Sequence, residues 1–208
     1  TLADGARLVR RRGELMLAAG EERPGAMAAV LGDLSEPIES LCERATAEAG
    51  LVVPANYNAP GQLVVSGDSA GVDRLAELAK EAGAKRAVRL NVSGAFHSPL
   101  MQPAAEGLAT ALADTAFATP AFPVASNVSA ELVTAGDEAR ELLRRQLTSP
   151  VRWTELVRTL ATRHPDALFV ELGPGNVLTG LMKRIAPDAA TATCGTPAEV
   201  ESLLQRLG

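Results

Sequence analysis

Thiols, aromatic rings, histidines and long apolar runs are all scarce in this chain of 208 residues. The two cysteines, Cys42 and Cys194, stand far apart with no second thiol or histidine beside either. Neither a disulfide framework nor a zinc site is legible, and a reducing, cytoplasmic setting fits best. Six aromatic residues are too few for a base-stacking platform. A formal net charge of −5, from 20 basic and 25 acidic residues, argues against general affinity for nucleic-acid backbone or anionic membrane. No apolar run approaches the roughly 20 residues that span a bilayer, and the opening TLADGARLVRRRGE does not read as a signal peptide. Lysine is nearly absent too: only Lys80, Lys85 and Lys183 among the 20 basic residues, a bias that points to a GC-rich bacterial genome.

What is present is a folding composition, 47% hydrophobic and 22% charged, enough for one sizeable core or two small domains sharing a surface. Apolar periodicity predicts a helix over 3–19, with Gly20 as its stop, then a strand over 25–32 and a helix over 35–49 capped by Ser35. Two strands, 51–58 and 61–67, are joined by a tight Ala59-Pro60-Gly61 turn, and a helix (69–82) and a strand (85–92) follow. The order β-α-β-β-α-β over 24–92 is that of a ferredoxin-like subdomain. Beyond Ser93, helices at 98–114, 137–147, 150–163, 176–185 and 197–206 alternate with strands at 122–127, 167–173 and 190–194. Single strands separated by helices predict a parallel, helix-covered sheet. Residues 1–23 and 93–208 then form an α/β core into which 24–92 is inserted. The bare amphipathic helix at residue 3, with no strand before it, raises the expectation of a fragment.

Few residues are candidates for chemistry. His97 sits in NVSGAFHSPLM, between a strand and a helix, where an imidazole can project into a cleft or serve only structure. His164, before Pro165, reads as a solvated helix end. In the first helix Leu8, Val9, Leu15, Met16 and Ala19 form one face, and Arg12 falls near its centre while Arg10 and Arg11 point elsewhere. A guanidinium there needs an anion, either an internal carboxylate or one on a substrate. In DEARELLRRQL the inward face is Ala139, Leu142, Leu143 and Leu147, and Gln146 lies among them as a core amide or part of a polar site. Gly67-Asp68-Ser69-Ala70-Gly71 spells a G-x-S-x-G elbow between strand and helix. The plainer reading is that Ser66, Asp68 or Ser69 caps the helix.

Several segments together resemble one family. GAMAAVLG, NYNAPGQLVVSGD, AKRAVRLNVSGAFHSPLM, FPVASNVSA, RRQLTSPVRWTE and FVELGPGNVLTGLMKRI occur in the order found in malonyl-CoA:acyl-carrier-protein transacylases and the acyltransferase domains of polyketide and fatty-acid synthases. The resemblance covers essentially the whole chain. It implies an α/β-hydrolase-like core carrying the inserted subdomain. It also implies transfer of malonyl from coenzyme A to a serine, then to the phosphopantetheine thiol of acyl carrier protein, with no cofactor. By resemblance His97 is the base, Arg12 in R-G-x-x-M clamps the malonyl carboxylate, and Gln146 orients the histidine. Asn58 and Gln62 mark a turn near the site. Phe96 stands where a phenylalanine accompanies malonyl selection, since a ring there crowds an α-methyl group. Gly94 departs from the histidine common in modular synthases.

The larger departures are the family's G-H-S-x-G elbow and its upstream G-Q-G segment, neither of which occurs here. The expectation is therefore a chain that begins after its nucleophile, with Ser69 a decoy. A freestanding, monomeric enzyme of fatty-acid synthesis is expected, with a polyketide pathway as the alternative. Two further alternatives are an esterase using Ser69 and a carrier-protein-binding module docking through Lys80, Lys85, Arg86, Lys183 and Arg184.

Overall fold

Helix α1 (Leu2–Glu22) is capped by Thr1, whose hydroxyl accepts from the Asp4 N–H, and it runs past Gly20, the residue predicted to stop it. Gly20 serves a different purpose. A Cβ at this position would stand 2.5 Å from the Ser93 carbonyl oxygen, so glycine is what lets the helix lie directly on the 93–94 backbone. The computed structural model describes residues 1–208, in two units, Thr1–Trp153 and Thr154–Gly208.

In the first unit β1 (Ala26–Leu31), α2 (Ile38–Ala49), β2 (Val52–Ala59), β3 (Gln62–Gly67), α3 (Ser69–Glu81) and β4 (Arg86–Arg89) follow one another. The four strands make one sheet in the order β2-β3-β1-β4, all neighbours antiparallel. Strand alternation sends Ala26, Ala28 and Val30 to one face, where with Val52 and Val65 they meet Leu41 and Ala45 of α2 and Val72 and Leu75 of α3. Each fully buried Leu or Val contributes roughly 1.5–3 kcal/mol. The other face carries Met27, Ala55 and Val64. The Pro60-Gly61 turn is as expected, with Gly61 at φ +66°. Two expectations shift. Ser35 does not cap α2, because the helix starts only after Pro37, and the residue before a proline resists helical angles. Strand β4 is shorter than 85–92 because it is an edge strand paired only with Ala28–Leu31 of β1.

After a 3-10 turn at Pro99–Met101 comes α4 (Gln102–Ala113), which packs on α1 through Met101, Ala104, Ala105 and Leu108 against Leu8, Leu15, Met16 and Ala19. Val9 does not belong to this stripe. It is 72% exposed, because α1 has one packed side and Val9 lies one residue, about 100°, off it. The strand expected at 122–127 is reduced to β5 (Val124–Ala125), paired antiparallel with an unforeseen β6 (Leu132–Val133). The intervening turn takes Ala130 to φ +59° without a glycine to signal it. Helix α5 (Gly136–Gln146) buries Leu142, with Leu147 buried just past its end, but leaves Leu143 43% exposed.

The second unit opens within α6 (Trp153–Arg163) and continues through β7 (Leu168–Leu172), α7 (Val177–Ile185), β8 (Ala190–Cys194) and α8 (Pro197–Leu207). Here the expected parallel pairing is found, β7 with β8. In the ELGPG segment the Glu171 carboxylate accepts from the N–H groups of Leu178 and Thr179, which answers the free donors at the start of α7. No helix of the chain is long and apolar enough to cross a membrane.

The contact at Gly20 yields a paired prediction. Gly20→Ala lowers stability by about 1–3 kcal/mol through overpacking. Gly13→Ala, in the same helix with nothing within 4 Å of its Cβ, raises stability by roughly 0.5–1 kcal/mol. Urea denaturation of the two variants checks the contrast, and equal effects would contradict the backbone contact.

Candidate active site

Helix α5 cannot continue far beyond Gln146, because Pro150 forces Ser149 toward an extended conformation. A helix end leaves its last carbonyls without intrahelical partners. The Leu147 and Thr148 N–H groups both turn back to the Arg145 carbonyl, and the Gln146 carbonyl is answered by His97, whose Nδ1 lies 3.1 Å away. A carbonyl only accepts, so Nδ1 carries the proton and Nε2 presents a lone pair. The Ser149 backbone also bonds the imidazole. Main-chain acceptors thus orient this ring, where hydrolase triads use a carboxylate.

His97 itself lies at φ +59°, the left-handed region that non-glycine residues seldom enter. Such a backbone costs of order 1–3 kcal/mol and persists only where the surroundings enforce it. Ser98 does so. Fully buried, its hydroxyl donates to the Ala95 carbonyl at 2.6 Å and accepts from the Leu100 N–H at 3.2 Å, pinning the loop on both sides of the histidine.

Arg12 is half-buried and donates from Nη2 to Gln146 Oε1 at 2.8 Å. No carboxylate of the chain forms an ion pair with it. Its neighbours Arg10 and Arg11 instead share Glu14 on the outer face. Of five guanidinium N–H donors one is used, and the remaining fork fits a bidentate carboxylate. Burial depresses the pKa of Arg12, yet arginine stays charged at any working pH. The Gln146 amide nitrogen lies 3.4 Å from His97 Nδ1, a contact between two donors in this tautomer and not a hydrogen bond.

His97 and Arg12, which the sequence singles out from separate segments, are therefore each hydrogen-bonded to Gln146, from a third. Phe96 is adjoining, its ring packed between the α1–α4 cluster and the Met27, Ala55 and Val64 face of the sheet. Asn58 and Gln62 stand at the β2–β3 hairpin end. There Gln62 pairs with Leu31, at the opposite end of β1 from the Met27 that Phe96 covers. His164 is exposed, as expected of a helix end. The elbow reading of Ser69 is corrected. A nucleophile elbow strains its serine, whereas Ser69 is the first residue of α3, has no positive φ, and is bonded to neither histidine. The capping reading is corrected as well. Asp68 stands at the cap position, but its carboxylate accepts from the Leu51 N–H and from Arg23. Lys80, Lys85, Arg86, Lys183 and Arg184 are all exposed. Three features escaped sequence reasoning: the Gln146 carbonyl, the Ser98 clamp and the His97 backbone. Only the T-S-P that ends α5 could have signalled the first.

Chemically, the arrangement offers a neutral base with a fixed tautomer beside a cation that lacks its own anion. Burial lowers the pKa of His97, the Arg12 charge lowers it further, and the bonds to the Gln146 and Ser149 backbones oppose both.

A family model described as acyl transferase domain matches residues 1–203. The malonyl CoA-acyl carrier protein transacylase of Bacillus subtilis is 44% identical over 204 residues, which are 98% of this chain and 64% of that protein. The crystal structure of the malonyl-CoA:acyl carrier protein transacylase of Xanthomonas oryzae is 42% identical, with a TM-score of 0.91 over 99% of this chain and 65% of that one. A malonyl-transacylase solved with its type II polyketide acyl-carrier protein is 40% identical, with a TM-score of 0.89 over 96% of this chain and 64% of that one. The chain thus spans somewhat under two thirds of the length of these relatives.

In an NMR titration His97 is expected to titrate below the usual imidazole value of about 6.5, and Arg12→Met to move it upward. The linkage sign follows. The unfolded chain takes up this proton more readily, so stability falls as pH drops through about 6.5 and levels off below the folded pKa. His97→Gln removes that slope. An imidazole titrating above 6.5, or an unchanged acid slope, would contradict the burial argument.

Proposed function

Since the chain belongs to the acyl transferase domain family, we propose that it carries the base and the carboxylate clamp of an acyltransferase that moves malonyl from coenzyme A to the phosphopantetheine thiol of acyl carrier protein. The observation that carries this reading is the half-buried Arg12, without an internal carboxylate and joined through Gln146 to a histidine with a free Nε2. In the first half-reaction His97 Nε2 takes the proton of the family's nucleophilic serine as its oxygen attacks the thioester carbonyl. The C–S bond then breaks, and the imidazolium returns the proton to the coenzyme A thiolate. In the second half the carrier thiol gives its proton to His97 and attacks the serine ester, and the serine oxygen leaves with that proton. Arg12 holds the malonyl carboxylate in both halves. Phe96 walls the acyl side, and Asn58 and Gln62 shape the β2–β3 hairpin at the far end of β1 from it. No cofactor enters this chemistry.

The same reading assigns residues 1–23 and 93–208 to an α/β-hydrolase-like core and 24–92 to an inserted ferredoxin-like subdomain. In support, the β2-β3-β1-β4 order and the placement of α2 and α3 on one face are those of a split β-α-β unit. The names of the bacterial relatives supply the two substrates, malonyl-CoA and acyl carrier protein, and the same reading places the reaction in the cytoplasm and in fatty-acid biosynthesis.

The test is transfer of labelled malonyl from malonyl-CoA to holo acyl carrier protein by the natural full-length gene product. His97→Ala is expected to lower the rate by about 10²–10⁴. Arg12→Ala should lower kcat/KM for malonyl by about 10² while sparing acetyl. Equal losses for malonyl and acetyl would sink the clamp, and an undiminished rate in His97→Ala would sink the base.

A further inference from the structure

We infer that the neutrality of the Gln146 side chain is what keeps Arg12 open to a substrate carboxylate, which makes Gln146 a selectivity-determining positioning residue for the clamp as well as a support for the histidine. The inference deepens the malonyl reading above and rests on it.

Ion pairing with acids is common among the arginines of this chain, and two of the more shielded ones, Arg74 and Arg140, both have it. Arg7, Arg10, Arg11, Arg23, Arg44, Arg74, Arg89, Arg140 and Arg144 each meet an Asp or Glu within 4 Å. Arg12 has the most to gain from such a partner, because burial weakens its hydration, yet its partner is an amide. An amide oxygen has the size and acceptor geometry of a carboxylate oxygen but no net charge. At 2.8 Å, Gln146 Oε1 therefore aims the guanidinium without neutralising it. The aim is referenced to the base, since the same residue holds His97 Nδ1 with its backbone carbonyl and keeps its amide nitrogen 3.4 Å from the ring. A glutamate of equal length here would satisfy Arg12 internally, in the half-buried setting where breaking an ion pair is costly. A substrate carboxylate would then have to displace it.

Gln146→Glu is thus expected to close the clamp, and Gln146→Met to leave it charged but unaimed. Isothermal titration of this chain with malonyl-CoA and acetyl-CoA reads the difference. Wild type should prefer malonyl-CoA. Gln146→Glu should weaken malonyl-CoA by about tenfold or more while acetyl-CoA stays within about twofold, matching Arg12→Ala. Gln146→Met should fall between. The proton on His97 gives a second readout that lost packing would not mimic. Arg12, from α1, is the charged side chain that acts on this imidazole, and the other groups on it are the Gln146 and Ser149 backbones. A carboxylate at 146 should therefore raise the NMR-measured pKa of His97, and Gln146→Met should not. Thermal melts confirm that each variant is folded. Retained malonyl preference in Gln146→Glu, alongside its loss in Arg12→Ala, overturns the inference and leaves the clamp standing. No loss in Arg12→Ala, or no binding of either thioester by wild type, overturns the malonyl reading and this inference with it. An unchanged His97 pKa in a folded Gln146→Glu also counts against the inference.

Discussion

A helix ends with carbonyls that nothing inside it can satisfy, and in α5 one of these, on Gln146, is satisfied by the Nδ1–H of His97. That single bond fixes the tautomer, directs Nε2 outward, and joins a loop near residue 97 to a helix ending near 146. The side chain of the same glutamine reaches Arg12 on α1. Three stretches of chain separated by 49 and 134 positions thereby share one junction. A neutral acceptor behind the imidazole has a chemical consequence. A buried carboxylate there would pull the histidine pKa up, whereas a carbonyl leaves the ring unprotonated where burial and the guanidinium already favour the neutral form.

The loop that delivers the histidine is held against its own preference. His97 occupies the left-handed region, and the buried Ser98 hydroxyl secures the backbone at Ala95 before it and at Leu100 after it. Phe96 on one side and Met101 on the other are packed into the surrounding clusters and Leu100 is buried, so the strained residue sits between anchored neighbours. Strain maintained in this way removes the alternatives the imidazole would otherwise sample. The entropy of positioning it is met when the chain folds and not when a substrate arrives.

Much of this was legible in the sequence because misplaced polarity is visible locally. Arg12 and Gln146 stand out as polar residues within apolar helical stripes, and both lie where the stripes face inward. The β-α-β-β-α-β order and the Pro60-Gly61 turn were equally plain, since alternation and turn chemistry are short-range signals. What failed did so for want of context. Val9 and Leu143 look as apolar as their neighbours, and their exposure depends on how much of each helix a partner covers. The β6 strand is two residues long and has no period to detect. Gly20 looked like a helix stop because close approach between a helix and a distant backbone leaves no mark in the local pattern. The Gln146 carbonyl was invisible because main-chain acceptors have no letter of their own.

The contact between Gly20 and Ser93 bears on what sets the spacing within the site. Eight helical residues, about 12 Å, separate Gly20 from Arg12, and four chain positions separate Ser93 from His97. The two functional groups are thus gauged from a point where backbone meets backbone with no side chain between. Side-chain exchanges on the outer surface of α1, where Arg7, Arg10 and Arg11 are exposed, leave that reference point untouched. The helix exterior can accordingly be recoloured with the spacing of cation and base unaltered, as long as the twentieth residue stays without a side chain.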